Sequence, residues 1–403
     1  MRPEQILHHF VFAGSLGVHK ARLGALVSAA AAVIDSGSLV PAHVGRSMAG
    51  GAMPKHGIKR VDRLLGNEHL HAELPLLYGR IARTITGVRP VILVDWTKLD
   101  GGTQAALVAA VAHRGRALPI LTEVHPMAKL ANPHVEAAFL EVLARTVLPA
   151  GCKPILVTDA GFKNPWFKRV LAQGWDFVGR TTSSVFVQRQ GEEQWRPMST
   201  YASSVVHKPK DYGEIRLAKG NPLAGRLVTS KAPPKGRHGS SKPNRKGIHR
   251  GSDADRAYRK RAKTPASLFT SLRDVSAVQV ERLYATRMQI EESFRVAKSH
   301  RFGWSMEDTR SKNCDRLAVL FLLASLAMLA LALLGTLVEH LGLQRHFQAN
   351  TVRTRRVLSL VTLGRLALGR PRIMKRLGTA WLEFAVGRAI SFSAGPLCAG
   401  ASG

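Results

Sequence analysis

The chain has 403 residues, 45% of them hydrophobic, enough for a substantial core and two or three domains. Its 59 Lys and Arg against 27 Asp and Glu give a formal charge of +32, an excess that calls for a polyanion or an anionic surface as partner. Three cysteines without Cys-x-x-Cys spacing exclude a disulfide framework and a structural zinc site, and fit a reduced, cytoplasmic setting.

The start, Met1 to His9, lacks the apolar core of a signal peptide, so export is not expected. Residues 4–34 are apolar at helical spacing, and Pro41 opens a short helix that closes on Gly50-Gly51. A third helix over 56–67 sets Lys59, Arg60 and Arg63 away from Ile58, Val61 and Leu65. Residues 1–88 therefore read as a helical DNA-binding domain of helix-turn-helix character, or as a helical bundle with a basic rim.

Pro90 to Trp96 is an apolar, mostly β-branched run that stops at Asp95, the pattern of a strand buried on both faces. Two further strands follow over 105–112 and 116–124, then an amphipathic helix over 131–148. Pro154 to Asp159 repeats the first pattern, and a helix to Gln173 and a strand over 175–180 complete the segment. The order predicts an α/β core with a mixed sheet, Asp95 and Asp159 standing at strand ends, where function collects in such folds. Either aspartate alone could serve a turn or a helix cap. Together they repel unless protonated or bridged by a hard cation.

Residues 181–264 break the alternation with short strands over 185–189, 195–197, 213–218 and 227–229. From Lys231 to Lys263 the segment is strongly basic amid Pro, Gly and Ser, suited to a phosphate backbone or to a solvated linker. A helix is expected from about Val278 to Ser299. At about 100° per residue it brings Tyr284, Arg287, Glu291, Arg295 and Lys298 onto one face, with Glu292 pointing elsewhere. That row is either a solvated face of spaced ion pairs or a carboxylate set among phosphate-binding cations. Leu317 to Val338 carries no charge and is long enough to span a membrane, but continuity with the preceding helix favours a buried core helix. Basic helical pieces over 351–356 and 365–376 and a Gly/Ala/Ser tail from Ser393 close the chain.

Three stretches resemble the signatures of bacterial insertion-sequence DDE transposases of the cut-and-paste, hairpin-forming group. They are Val94-Asp95-Trp96, the run from Thr158 to Trp166 that reads Thr-Asp-Ala-Gly-Phe-Lys-Asn-Pro-Trp, and Tyr284-x2-Arg287-x3-Glu291-x6-Lys298. His56 to Asn67 and His346 to Thr351 are similar to the same group outside the core. The resemblance implies a ribonuclease H-like catalytic core with Asp95, Asp159 and Glu291 as catalytic and metal-binding residues. It implies two Mg²⁺ ions per site, with Mn²⁺ as a substitute, and Tyr284, Arg287, Arg295, Lys298, Lys59, Arg60 and Arg63 on DNA. Its partners would be terminal inverted repeats and target DNA, bound by a homodimer without a membrane, in the bacterial cytoplasm.

The implied domains are 1–88, a core in two parts over 89–180 and 265–340, the β-rich basic insertion over 181–264, and a helical C-terminal region over 341–403. One departure stands out: the group can hold a flipped base on a tryptophan before the Glu helix, whereas residues 264–270 contain none. Phe269, Trp195 and Trp304 are the remaining candidates. Other readings are a related nuclease without strand transfer and a non-catalytic DNA-binding protein.

Overall fold

A computed structural model describes residues 3–12, 17–48, 53–99, 101–202, 208–231, 265–299, 303–349, 351–352 and 355–387. The chain divides into two compact units, one made of Met1–Ile155 with Thr286–Gly403 and the other of Leu156–Ala285. Strands and helices together make a mixed α/β sheet core, as the alternation predicts.

In the first unit, strands β1 (Val91–Lys98), β2 (Gln104–His113) and β3 (Arg116–Pro126) form an antiparallel meander. Nearly every residue of β1 and β2 is buried, which explains their unbroken apolar sequence. Among the described residues, five helices precede β1: Pro3–Phe10, Lys20–Ser36, Pro41–Ser47, Pro54–Leu65 and Glu68–Ile85. The third and fourth start on proline, whose missing N–H costs nothing there, and Asn67 caps the fifth by accepting from Leu70 N at 2.9 Å.

The charge-free run lies in the helix Cys314–His340, capped by Asn313. Its most apolar window is wholly buried, packed on Lys20–Ser36, Glu68–Ile85, β3 and the helix Leu360–Leu368. The apolar face all round the helix is thus covered by this chain's own elements. At the crossing with Leu360–Leu368, a Cβ on Gly335 would overlap the Leu360 carbonyl and one on Gly364 the Leu331 carbonyl. Glycine at both points lets the two backbones touch.

The second unit opens with β4 (Ile155–Thr158), whose first residue belongs to the first unit, and the helix Asn164–Ala172 leads on to β5 (Asp176–Thr181). The strands β6 (Phe186–Arg189), β7 (Arg196–Pro197), β8 (Lys210–Leu217), β9 (Leu223–Ser230) and β10 (Ala266–Thr270) extend it in the order β4-β5-β10-β9-β8-β6-β7. The described residues of 181–264 carry the strands β6 to β9, as the sequence suggests. Of the basic stretch Lys231 to Lys263 only Lys231 falls within the described residues, and the tail from Ser393 lies outside them.

Three expectations need correction. The stretch from Val278 to Ser299 is two helices, Ala277–Ala285 and Met288–Lys298, because Gln289 N–H and Ile290 N–H bond three residues back, to Thr286 and Arg287, tightening the chain into a turn. Strand β1 continues three residues beyond Asp95, which therefore stands within the strand and not at its end. The described part of 351–356 is not helical; the C-terminal helices are Leu360–Leu368 and Pro371–Gly387.

Candidate active site

Asp95 is only 8% exposed, on a strand whose other residues are nearly all apolar, and a buried carboxylate needs a partner. Arg287 provides it: its Nη1 donates to Asp95 Oδ2 at 3.2 Å, while its Nη2 donates to Glu291 Oε1 one helical turn on. Two carboxylates thus share one guanidinium, whose rigid fork of donors suits the task. Arg287 is the N-cap residue of the Met288–Lys298 helix, which has no side-chain cap hydrogen bond at that end.

The helix is pinned along its length. Gln289 Oε1 accepts from His113 N–H at 2.9 Å, and Ser293 Oγ donates to the Ala117 carbonyl at 2.6 Å. At its far end Lys298 Nζ donates to the Lys98 carbonyl at 2.6 Å and to Thr97 Oγ1 at 3.2 Å, gripping β1 just beyond Asp95. An open cavity of about 360 Å³ is lined by Glu291, Phe294, Arg295, Lys298, Ser299 and Glu307. Beside the helix, burial and the charges of Arg114 and Arg356 push the His113 imidazole down to about 3.

Of the residues expected to act together, the first unit brings Asp95, Arg287 and Glu291 into one ion-paired cluster, with Lys298 bonded from the helix to the strand that carries Asp95. Arg295 also lines the Glu291 cavity, but its Nη1 bonds both oxygens of the neighbouring Glu292, at 2.9 and 3.1 Å. Lys59, Arg60 and Arg63 are exposed on the Pro54–Leu65 helix, opposite buried Val61, Leu64 and Leu65.

Asp159 and Tyr284 belong to the second unit. Asp159 directly follows β4, and its Oδ1 accepts from Gly161 N–H at 2.8 Å, so it does hold a turn of the kind its sequence allows. Tyr284 is half-buried near the end of Ala277–Ala285. Among the described residues no group of three His, Cys, Asp or Glu side chains is gathered closely enough to hold a metal ion.

The aromatic candidates separate by burial. Phe269 is fully buried, against the rings of Phe167 and Phe177, and Trp304 is 2% exposed. Neither presents a free face for stacking, so of the three only half-buried Trp195 is open to solvent. Sequence reading missed the tie between Trp96 and Glu136, where Nε1 donates to Oε1 at 3.1 Å beside the catalytic candidate. The signal was there: a Glu in the first turn of a helix, opposite an indole that needs an acceptor.

No curated protein sequence matches the chain. Among seven matching chains of solved structures is the piggyBac transposase in a cryo-EM synaptic complex with hairpin DNA, at 10% identity and a TM-score of 0.42, covering 96% of this chain and 82% of that one. Residues 86–329, more than half of the chain, match the model of the transposase DDE domain, and the chain belongs to that family.

Proposed function

We propose that this transposase cuts DNA at the ends of a bacterial insertion sequence and joins those ends to a target, by phosphoryl transfer on a ribonuclease H-like core. The observation that carries the reading is the meeting of Asp95 and Glu291 on the Arg287 guanidinium, inside the segment that matches the DDE domain. Asp159, after a buried strand, is the third carboxylate.

Oxygen donors of this kind suit Mg²⁺ or Mn²⁺, and two carboxylates already drawn to one cation fit such an ion. Asp95, Asp159 and Glu291 would hold it. When bound, a pair of such ions supplies Lewis-acid stabilisation of phosphate charge and an activated oxygen nucleophile at neutral pH. Arg287 holds the two carboxylates in place beforehand. Lys298, held to β1, and Arg295 neutralise nearby phosphates, and the Tyr284 hydroxyl donates to another. The exposed face of Lys59, Arg60 and Arg63 contacts the DNA backbone outside the core.

On this reading one strand is hydrolysed, its 3′-hydroxyl attacks the opposite strand to form a hairpin, and the opened ends attack the target as a homodimer-bound complex. The helical regions 1–88 and 341–403 flank the core, and the insertion 181–264 supplies further DNA contact. The test is cleavage of a terminal-repeat oligonucleotide by the purified protein in Mg²⁺ but not in EDTA. Asp95→Ala, Asp159→Ala and Glu291→Ala should each bind the oligonucleotide and fail to cut it, and cleavage by any one of them sinks the triad. Joined products on a supercoiled plasmid separate a transposase from a nuclease. Binding without any nicking would mark a non-catalytic protein.

A further inference from the structure

The Met288–Lys298 helix lines a second cavity, of about 330 Å³, to which Glu292 and Arg295 contribute but Arg287 and Glu291 do not. Arg116 from the start of β3 and Arg365 from Leu360–Leu368 also line it, with Trp304 and Val361 as apolar wall. Three guanidiniums face one carboxylate. Glu292 is already engaged by Arg295, so it can balance one cation only.

Arg116 is the unusual member. It is half-buried, its Nη1 donates to the backbone carbonyl of Glu292 at 3.2 Å, and its Nε is buried with no hydrogen-bond partner among the described residues. Burial depresses its pKa from the ordinary arginine value, the Glu292 charge opposes that, and the Arg295 charge adds to it. A guanidinium does not give up its proton at any ordinary pH. An anion in the cavity offsets the cost of a partly buried, under-neutralised charge.

We propose that this cavity is a phosphate-binding site, formed by Arg116, Arg295 and Arg365 and separate from the Asp95–Glu291 cluster. Guanidinium forks from three elements match the several acceptor oxygens of one tetrahedral phosphate, where lysines would meet it only as point charges. The phosphate comes either from a DNA backbone or from free phosphate ion. Glu292 is the built-in competitor, because an incoming oxyanion must share Arg295 with it. The site does not depend on the assignment of the triad, since none of its residues belongs to it.

The experiment uses the full chain in EDTA, so that no cleavage intervenes, with two probes at constant ionic strength. One is inorganic phosphate, read as a rise in melting temperature over chloride; the other is a labelled duplex of arbitrary sequence, read by anisotropy across a salt series. Arg365→Ala, an exposed position that leaves the fold intact, should weaken at least one probe about tenfold. Arg116→Lys, which keeps the charge but loses the fork, should weaken the same probe, and Glu292→Gln should tighten it. If the duplex is the probe affected, Arg365→Ala should also reduce the salt slope by about one. If phosphate alone is affected, the source is the free ion. Unchanged affinity for both probes in Arg365→Ala and Arg116→Lys overturns the site, as does weakening by Glu292→Gln.

Discussion

Arg287 donates to Asp95 across 3.2 Å, joining residues that 192 positions of chain separate. Because the same guanidinium also holds Glu291, one side chain sets both the charge balance and the spacing of two candidate catalytic carboxylates. Removing it takes the shared guanidinium from a buried aspartate and a second acid at once.

Arg287→Ala should therefore destabilise the protein by about 2–3 kcal/mol, below the range for fully buried pairs because Glu291 is 39% exposed. Urea unfolding measures this. A divalent cation can satisfy the same two carboxylates, so Mg²⁺ should raise the melting temperature of Arg287→Ala more than that of the parent, and EDTA should remove the gain. An equal Mg²⁺ effect on both proteins would count against metal binding by Asp95 and Glu291.

The adjacent acids Glu291 and Glu292 should respond differently to the same change. Glu291 is tied to Arg287 and lines the cavity beside Lys298, while Glu292 pairs outward with exposed Arg295. Glu291→Gln keeps the shape and removes the charge, so cleavage of an element-end oligonucleotide should fall by at least about a hundredfold. Glu292→Gln should retain activity within about threefold, an exposed ion pair being worth at most about 1 kcal/mol. Comparable loss in both variants would undo the choice between them.

The pairing of Arg287 with Glu291, and not with Glu292, was legible in the sequence because helical spacing puts Glu291 one turn from Arg287. The strands were legible for a similar reason: apolar runs such as Val91 to Val94 and Ile155 to Val157 are buried on both faces and carry nothing to confuse the period. What was not legible was long-range. Nothing local shows that Arg287 would reach Asp95, or which of the chain's own elements would cover the charge-free helix. The break at Thr286 was hidden too, since neither glycine nor proline marks it and only the three-residue hydrogen bonds reveal the turn.

His113 predicts an acid sensitivity. Its folded-state pKa is pushed down to about 3 by burial and by Arg114 and Arg356, against about 6.5 when unfolded. Between those values the unfolded chain binds a proton that the folded one does not, so this residue's contribution to stability is intact above pH 6.5 and is lost as pH falls toward 3. The slope approaches about 1.4 kcal/mol per pH unit within that window. His113→Gln should flatten the dependence of the urea midpoint between pH 6.5 and 4. An unchanged slope would mean that His113 is not the group responsible.

The contact between the Cys314–His340 and Leu360–Leu368 helices makes the sharpest stability prediction. A methyl at Gly335 would overlap the Leu360 carbonyl, and one at Gly364 the Leu331 carbonyl, so each new group meets backbone and not a side chain that could swing aside. Relief requires the helices to separate, and that opens contacts among Leu331, Leu334, Leu360 and Leu363, all buried. Overpacking of this kind costs about 1–3 kcal/mol where side chains can adjust, and the immobile neighbours put Gly335→Ala and Gly364→Ala at or above the upper end. Alanine's better helix propensity returns at most about 1 kcal/mol. The double variant should cost less than the sum of the two, because one separation of the helices relieves both clashes. Additive losses in denaturant unfolding would show that the two glycines act at independent contacts.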